Sequence, residues 1–381
     1  MTSPSSTGLR STGLKPRPGI LDIKAYVGGE SSLKGNVPVI KLSSNEGALG
    51  PSPRALAAYS EAAATLHRYP DGGHALLRQA IAKRYALDAA QIVCGAGSDD
   101  LIVLLARAYV GPGDEVVYSR HGFLMYPIAT QSCGGTPVVA DEVDLTTSVD
   151  EILSKVNGNT RIVYIANPNN PTGTYLNRDE LHRLRRGLPQ DVLLVIDEAY
   201  GEFVTKPDYA SGIELVNNGQ SNTVVTRTFS KIFGLGGIRL GWAYCPPEVA
   251  DILNRIRNPF NVSVPALKAG VAAIEDVEYL ELCKAHNEHW LGWLTERIHA
   301  LGLETTPSVC NFVLVHFPPK DAEMGSGLTA QAADQYLRSK GIIVRAMASY
   351  GLPDWLRMTV GKAEENTLLI QSLTEFVKGA S

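Results

Sequence analysis

The sequence predicts an α/β protein, with a mostly parallel sheet flanked by helices and a smaller α+β unit beside it. Three observations carry this reading. Short apolar runs alternate with longer amphipathic stretches, the pattern of strands joined by crossover helices. The runs are apolar at successive residues, as strands covered on both faces are. After about residue 260 the alternation stops, and one long helical stretch leads into three further apolar runs.

In chain order, residues 1–19 (MTSPSSTGLRSTGLKPRPG) are rich in Ser, Thr, Gly and Pro and lack the apolar core of a secretory signal. They read as a disordered arm. Residues 20–50 are assigned, with residues 262–381, to a small discontinuous domain, leaving 51–261 as the large domain. Within 51–261 the strand candidates are QIVCG (91–95), DEVVYS (114–119), TRIVYIAN (160–167), DVLLVIDEA (191–199) and TVVTRT (223–228). DDLIVLLARAYV (99–110) and RDELHRLRRGL (178–188) lie between them as helices, the latter with its charges on a solvated face. Beyond residue 262, PALKAGVAAIEDVEYLELCKAHNEHWLGWLTERIHALG reads as helix, and NFVLVHF (311–317), GIIVRA (341–346) and WLRMTVG (355–361) as strands.

Composition limits the function. The 381 residues suit about two domains. A net charge of −4 leaves no basic field for nucleic acid. No run approaches the length of a membrane-spanning helix. The five cysteines are scattered with no CxxC pair, which argues against structural zinc or a disulfide framework and fits the cytoplasm. HNEH (286–289), one turn after Cys283, lies in a continuous helical pattern and reads as helix surface rather than a metal site.

Ligands of such sheets bind at the carboxyl ends of the strands. Asn167, Asn170, Asp197, Tyr200 and Lys231 all follow the ends of apolar runs. Each motif here has a plain structural reading. Asp197 could cap a helix or form an internal ion pair. NPNNPTG (167–173) could be an ordinary turn, since Asn, Pro and Gly favour turns for backbone reasons. GAGSDD (95–100) could be a simple helix start with Ser98 as its N-cap, although free N–H groups there also suit a phosphate. TRTFSK–IFGLGGI–R (226–239) is the most specific: hydroxyls on Thr228 and Ser230, an arginine fork on Arg239, and Lys231 left free to react. Its glycines do not form GxGxxG. Together these residues describe one site for pyridoxal 5′-phosphate. A lysine attaches the cofactor's aldehyde, an acid pairs with its ring nitrogen, and hydroxyls, amides and an arginine hold its phosphate.

The order GAGSDD, NPNNPTG, DEAY, SK–x7–R and RMTVG resembles the fold-type-I, class-II aminotransferases. KLSSNEGALGPSP (41–53), HRYPDG (67–72) and GIIVRAMASYGLPDWLRMTVG (341–361) narrow the resemblance to the histidinol-phosphate aminotransferase family, over roughly residues 20–375.

That resemblance implies roles. Lys231 would bind the cofactor covalently, and Asp197 its ring nitrogen. Asn170 and Tyr200 would bond the ring oxygen. Ser98, Asp99 (through backbone amides), Thr228, Ser230 and Arg239 would hold the phosphate. Phe123, in HGFLMY where the family carries tyrosine, would stack on the ring. Tyr69 would reach the cofactor phosphate of a neighbouring subunit, which makes the protein a homodimer with shared sites. Arg357 would clamp the substrate carboxylate with Asn45 nearby, and Tyr26 and Arg345 would meet the substrate's own phosphate or aromatic side chain. Two further departures fall beside these residues: SSNEGA (43–48) for a proline-containing stretch, and AYVGG (25–29) without the usual prolines. The implied reaction converts L-histidinol phosphate and 2-oxoglutarate into imidazole-acetol phosphate and L-glutamate. An aromatic amino-acid aminotransferase and a decarboxylase of phosphorylated amino acids fit the same scaffold. A cofactor-binding regulator without turnover lacks any DNA-binding segment to support it.

Overall fold

The computed structural model describes residues 13–33, 39–219, 222–317 and 327–380. Residues 1–12, most of the expected disordered arm, lie outside the described residues; residues 13–19 are exposed.

Seven strands form the main sheet: β1 (Ile92–Gly95), β2 (Glu115–Ser119), β3 (Thr136–Ala140), β4 (Thr160–Ala166), β5 (Leu193–Asp197), β6 (Thr223–Thr228) and β7 (Gly241–Tyr244). Their spatial order is β1-β7-β6-β5-β4-β2-β3. The pairs among β2 to β6 are parallel, whereas β7 runs antiparallel between β1 and β6. The antiparallel β7 was not among the expected strands. GWAY is only four residues long and follows a glycine-rich turn, so no apolar run announced it.

Successive side chains of a strand point to opposite faces, and both faces are covered. Ile162, Tyr164, Leu193 and Val195 enter one core, with Leu101, Leu105 and Leu253 from the helices. Val163, Ile165, Leu194 and Ile196 enter the other, with Leu77, Leu181, Leu184 and Trp242. This double burial explains why these strands read as unbroken apolar runs. The helix Arg178–Gly187 starts on an Asn177 cap, whose side chain accepts from the Glu180 N–H at 3.0 Å. Its charges are not all solvated, contrary to the expectation. Arg185 is buried and donates to the carbonyls of Leu188, Pro189, Val192 and Asn222, closing the loops at that end of the sheet.

A second sheet has four antiparallel strands, ordered β8 (Glu304–Thr305), β9 (Phe312–His316), β11 (Trp355–Thr359) and β10 (Arg345–Ala346). Its core also takes Leu42 from the N-terminal segment, where Ile40–Lys41 pairs in parallel with Ile342–Ile343.

The helix that follows the boundary expected at residue 262 packs toward the large sheet. The helix Val264–Glu275 packs on the helices Pro53–Ala62 and Ala75–Tyr85, and its Ala266, Ala269, Ala273 and Ile274 enter the core of the large sheet. An amphipathic pattern shows that a helix has a buried face, but not which sheet covers it. The next helix, Val277–Ala300, is 24 residues long and buries Leu280 and Cys283 in the large core and Leu294 and Ile298 in the small one.

Candidate active site

A cavity of about 290 Å³ opens where the carboxyl ends of β4, β5 and β6 face the second sheet. Fourteen of the fifteen residues expected at the site line it: Tyr26, Asn45, Ser98, Asp99, Phe123, Asn170, Asp197, Tyr200, Thr228, Ser230, Lys231, Arg239, Arg345 and Arg357. Tyr69 does not. It is 82% exposed, stacks on Phe260 with ring centroids 4.7 Å apart, and borders a separate groove with Leu76, Val264 and Val271.

Lys231 sits in the turn after β6. Its Nζ donates to the Ser44 carbonyl at 3.3 Å and lies 5.7 Å from the centre of the Tyr200 ring. Burial, aided by the arginines at 357 and 239, pulls its ammonium down to about 8. One of the glycines that follow, Gly234, has a structural cause. Gly234 adopts φ +66°, and a Cβ there would run into the backbone of Gly50 and come within 2.7 Å of the Pro51 nitrogen. Only glycine lets the lysine turn pack this closely on the segment that brings in Asn45.

Asp197 ends β5 and is 5% exposed. One carboxylate oxygen accepts from the Ala199 N–H at 3.2 Å and the other from the Tyr126 hydroxyl at 3.3 Å. The Thr226 hydroxyl lies beside it without a hydrogen bond of ordinary geometry. These neighbours are all neutral. Burial therefore pushes the acid up to about 6, against the pull of those donors. The next residue, Glu198, is bound to Arg227 of β6 at 2.7 Å, which ties together the two strands that carry Asp197 and Thr228.

The helix Ser98–Tyr109 begins against β1 and β7. Its N-cap is Gly97, at φ +106°, and not Ser98 as expected; Ser98 is the first helical residue. A side chain would be strained at this φ, and it would also meet the Asp99 carboxylate and the Arg239 guanidinium. Arg239 pairs with Asp99 at 2.7 Å and donates to the Ser230 hydroxyl at 3.3 Å, which in turn accepts from Thr228 at 2.9 Å. Hydroxyls, a helix start and a guanidinium thus meet at one end of the cavity, a combination suited to a phosphate dianion.

At the other end, Arg357 is buried. Its guanidinium donates to the Asn170 side-chain oxygen and to the Ser43 carbonyl at 2.9 Å, and its Nε has no partner among the described residues. Arg345 stands directly across β10 and β11 from it and donates to the Val27 carbonyl at 2.7 Å. Asn45 donates through its amide to the Tyr200 hydroxyl at 2.8 Å and is locked by Thr359 on both sides. Tyr26 is half exposed and meets the edge of Phe123, centroids 6.1 Å apart.

Sequence reasoning missed residues that also shape the cavity. Tyr350 and Met125 line it, and Tyr126 lies behind it against both Asp197 and Phe123. Tyr126 sits in HGFLMY, three residues after Phe123 and hence one turn on in a helix, a spacing that could have drawn attention to it. His286 and Asn287, from the HNEH stretch, bond the Gly361 and Cys310 carbonyls. Among the described residues no cluster of His, Cys, Asp or Glu is placed to hold a metal.

These residues fit pyridoxal 5′-phosphate. Asp197 is a buried carboxylate with neutral hydrogen-bond partners, burial favours the uncharged form of Lys231, and Arg239, paired with Asp99, lies half exposed beside the start of the helix Ser98–Tyr109.

Comparison with known proteins agrees. The family model for aminotransferase class I and II matches residues 37–373. The histidinol-phosphate aminotransferase of Paramagnetospirillum magneticum is 62% identical over 362 residues, covering 95% of this chain and 98% of that protein. The one from Rhodospirillum centenum is 57% identical, covering 96% and 99%. Among solved structures, the histidinol-phosphate aminotransferase from Sinorhizobium meliloti in complex with pyridoxal-5′-phosphate superposes with a TM-score of 0.86 at 28% identity, covering 96% of this chain and 98% of that one.

Proposed function

The chain belongs to the class I and II aminotransferases, with the fold-type-I architecture, and from that premise we propose that it is a histidinol-phosphate aminotransferase of histidine biosynthesis. Its substrates would be L-histidinol phosphate and 2-oxoglutarate, and its products imidazole-acetol phosphate and L-glutamate. The observation that carries this reading is the pair Arg345 and Arg357, opposite each other at the end of the cavity away from the cofactor-phosphate ligands. One substrate is a phosphate dianion and the other a dicarboxylate, and two guanidinium groups suit both.

Pyridoxal 5′-phosphate, when bound, supplies an electrophilic carbonyl and a ring that stores the electrons released at the substrate carbon. Lys231 would attach it. Ser98 and Asp99 (through backbone amides), Thr228, Ser230 and Arg239 would hold its phosphate, with Phe123 against its ring. Asp197 would keep the ring nitrogen protonated. Asn170 and Tyr200 would hold the ring oxygen, their amide and hydroxyl already fixed by Arg357 and Asn45. The Lys231 amine would serve as the base that takes the proton from the substrate Cα. Its depressed affinity for protons supports that role. Arg357 would clamp the α-carboxylate of glutamate. Histidinol phosphate has no carboxylate, so Arg345, with Tyr26, would receive its phosphate.

The active form would be a homodimer in the cytoplasm. Tyr69 stands outside its own cavity on an exposed face that also carries Leu66, Leu76 and Phe260, and a second copy would take it to the partner's cofactor phosphate. All five cysteines are unpaired, as in a reducing compartment.

The aromatic lining of Tyr26, Phe123 and Tyr350 supports a second reading, an aromatic amino-acid aminotransferase. Measuring kcat/KM for histidinol phosphate and for phenylalanine with the same preparation tests the proposal. A preference for histidinol phosphate is expected. A preference for phenylalanine would replace it with the second reading, and release of CO2 would replace both.

A further inference from the structure

Tyr126 is completely buried, and each part of it meets something different. Its ring stacks on Tyr164, with centroids 4.8 Å apart and planes 3° from parallel. Tyr164 is itself fixed by its hydroxyl, which donates to the Ile102 carbonyl at 3.0 Å. Near the cavity, the Tyr126 ring meets Phe123 edge to face, with centroids 6.0 Å apart and planes at 88°. Its hydroxyl reaches one oxygen of Asp197 at 3.3 Å.

We propose that Tyr126 is a positioning residue that serves two groups at once: through its hydroxyl it holds Asp197 as the carboxylate, and through its ring it sets the plane of Phe123. The helix Met125–Cys133 would thereby place the acid and the stacking face in a fixed relation.

A donor to a carboxylate favours its charged form, and it matters more where no water competes. The groups facing Asp197 are few. They are the Ala199 N–H in its own turn, Thr226 on β6, Asp99 at the helix start, Lys231 in the turn after β6, and Tyr126. Asp99 opposes ionisation, and the Thr226 hydroxyl is poorly aimed. Among the described residues, that leaves Tyr126 as the side chain with a hydrogen bond to the acid. The phenol stays protonated, because burial and the neighbouring carboxylate hold its proton far above ordinary conditions. It is therefore a permanent donor. A bond of 3.3 Å is long for two oxygens.

The inference rests on the function proposed above only in that a ring nitrogen is what Asp197 would meet. The hydrogen bond can be tested without any cofactor. In the cofactor-free full-length protein, the Asp197 carboxyl band would be titrated by difference infrared spectroscopy, with Asp197→Asn identifying it. Tyr126→Phe keeps the ring and loses the donor, so the Asp197 midpoint should move to higher pH. An unchanged midpoint would overturn the proposal. In the second arm pyridoxal 5′-phosphate is added. Tyr126→Phe should raise its Kd by about tenfold at neutral pH, the size expected for one hydrogen bond to a charged group. It should leave the induced circular dichroism of the bound ring unchanged. Tyr126→Leu, which also frees Phe123, should reduce that signal; equal signals in the two variants would overturn the part concerning Phe123. If Asp197 shifts as expected but wild-type protein does not bind the cofactor, the proposed function fails and the role of Tyr126 toward Asp197 stands.

Discussion

Arg345 and Arg357 face each other across two antiparallel strands, with both side chains on the cavity side. Like charges so placed repel. The repulsion adds to burial in holding the Arg357 guanidinium below its usual proton affinity, against the opposing effect of Tyr200 and Tyr350. An anion between them removes the repulsion, so substrate binding and local stability are linked. Replacing Arg345 by Gln should lower kcat/KM for the phosphorylated substrate by about 10–100-fold, the loss of a charge-assisted bond. The ligand-free variant should melt no lower than wild type. Steady-state kinetics and a thermal melt check both parts.

Asp197 gives the opposite balance between stability and function. Its folded affinity for protons is raised to about 6, against about 3.9 for a free aspartate. Between those values the folded, cofactor-free protein holds a proton that the unfolded chain does not. Stability therefore falls as pH rises through that window, and the full cost is present above about 6. Each tenfold change in proton affinity is worth about 1.4 kcal/mol, so the cost is on the order of 3 kcal/mol. Asp197→Asn should stabilise the cofactor-free protein at pH 7 by about 1–3 kcal/mol and remove activity. Denaturant unfolding at pH 4 and pH 7 tests this, with the difference confined to the higher pH.

Lys231 has the other sign. Its folded value, about 8, is depressed, so between that pH and about 10.4 the unfolded chain binds a proton the folded chain lacks. Stability of the cofactor-free protein should rise with pH across this interval relative to Lys231→Met. Trapping of pyridoxal 5′-phosphate by borohydride should also increase as pH rises through about 8. The variant should trap none at that peptide and lose at least about 10²–10⁴-fold in turnover, the worth of a positioned general base. Peptide mass spectrometry and kinetics provide the readouts.

Tyr69 tests the shared site. Lys231→Ala and Tyr69→Ala chains should each be weak alone. Unfolded together and refolded, they should form mixed dimers in which one site has the lysine of one chain and the tyrosine of the other. Activity in the mixture well above the sum of the parents is expected. Purely additive activity would show that Tyr69 serves its own chain or none.

Much of the site was legible because its residues follow the ends of apolar strands. Asp197, Asn170, Thr228 and Lys231 are ordered by local chain direction, which the alternation of apolar and amphipathic segments already states. Less legible features depend on contacts between distant segments. The cap at Gly97 sits at a positive φ and against the guanidinium of Arg239, more than a hundred residues on. Arg185 looked like one more surface charge, yet it is surrounded by carbonyls from loops that only the folded sheet brings together. The helix Val264–Glu275 has an apolar face that would suit either core. Tyr126 carries no polar pattern of its own, because it sits on a helix and its partner Asp197 ends a strand about seventy residues on.

The helix Val277–Ala300 has a mechanical consequence. At about 1.5 Å per residue, its 24 residues make a rod about 36 Å long, set in the large core at one end and in the small core at the other. A rod embedded at both ends resists sliding and yields only by flexing. The helix lends no side chain to the cavity, yet it braces the two cores between which the cavity opens.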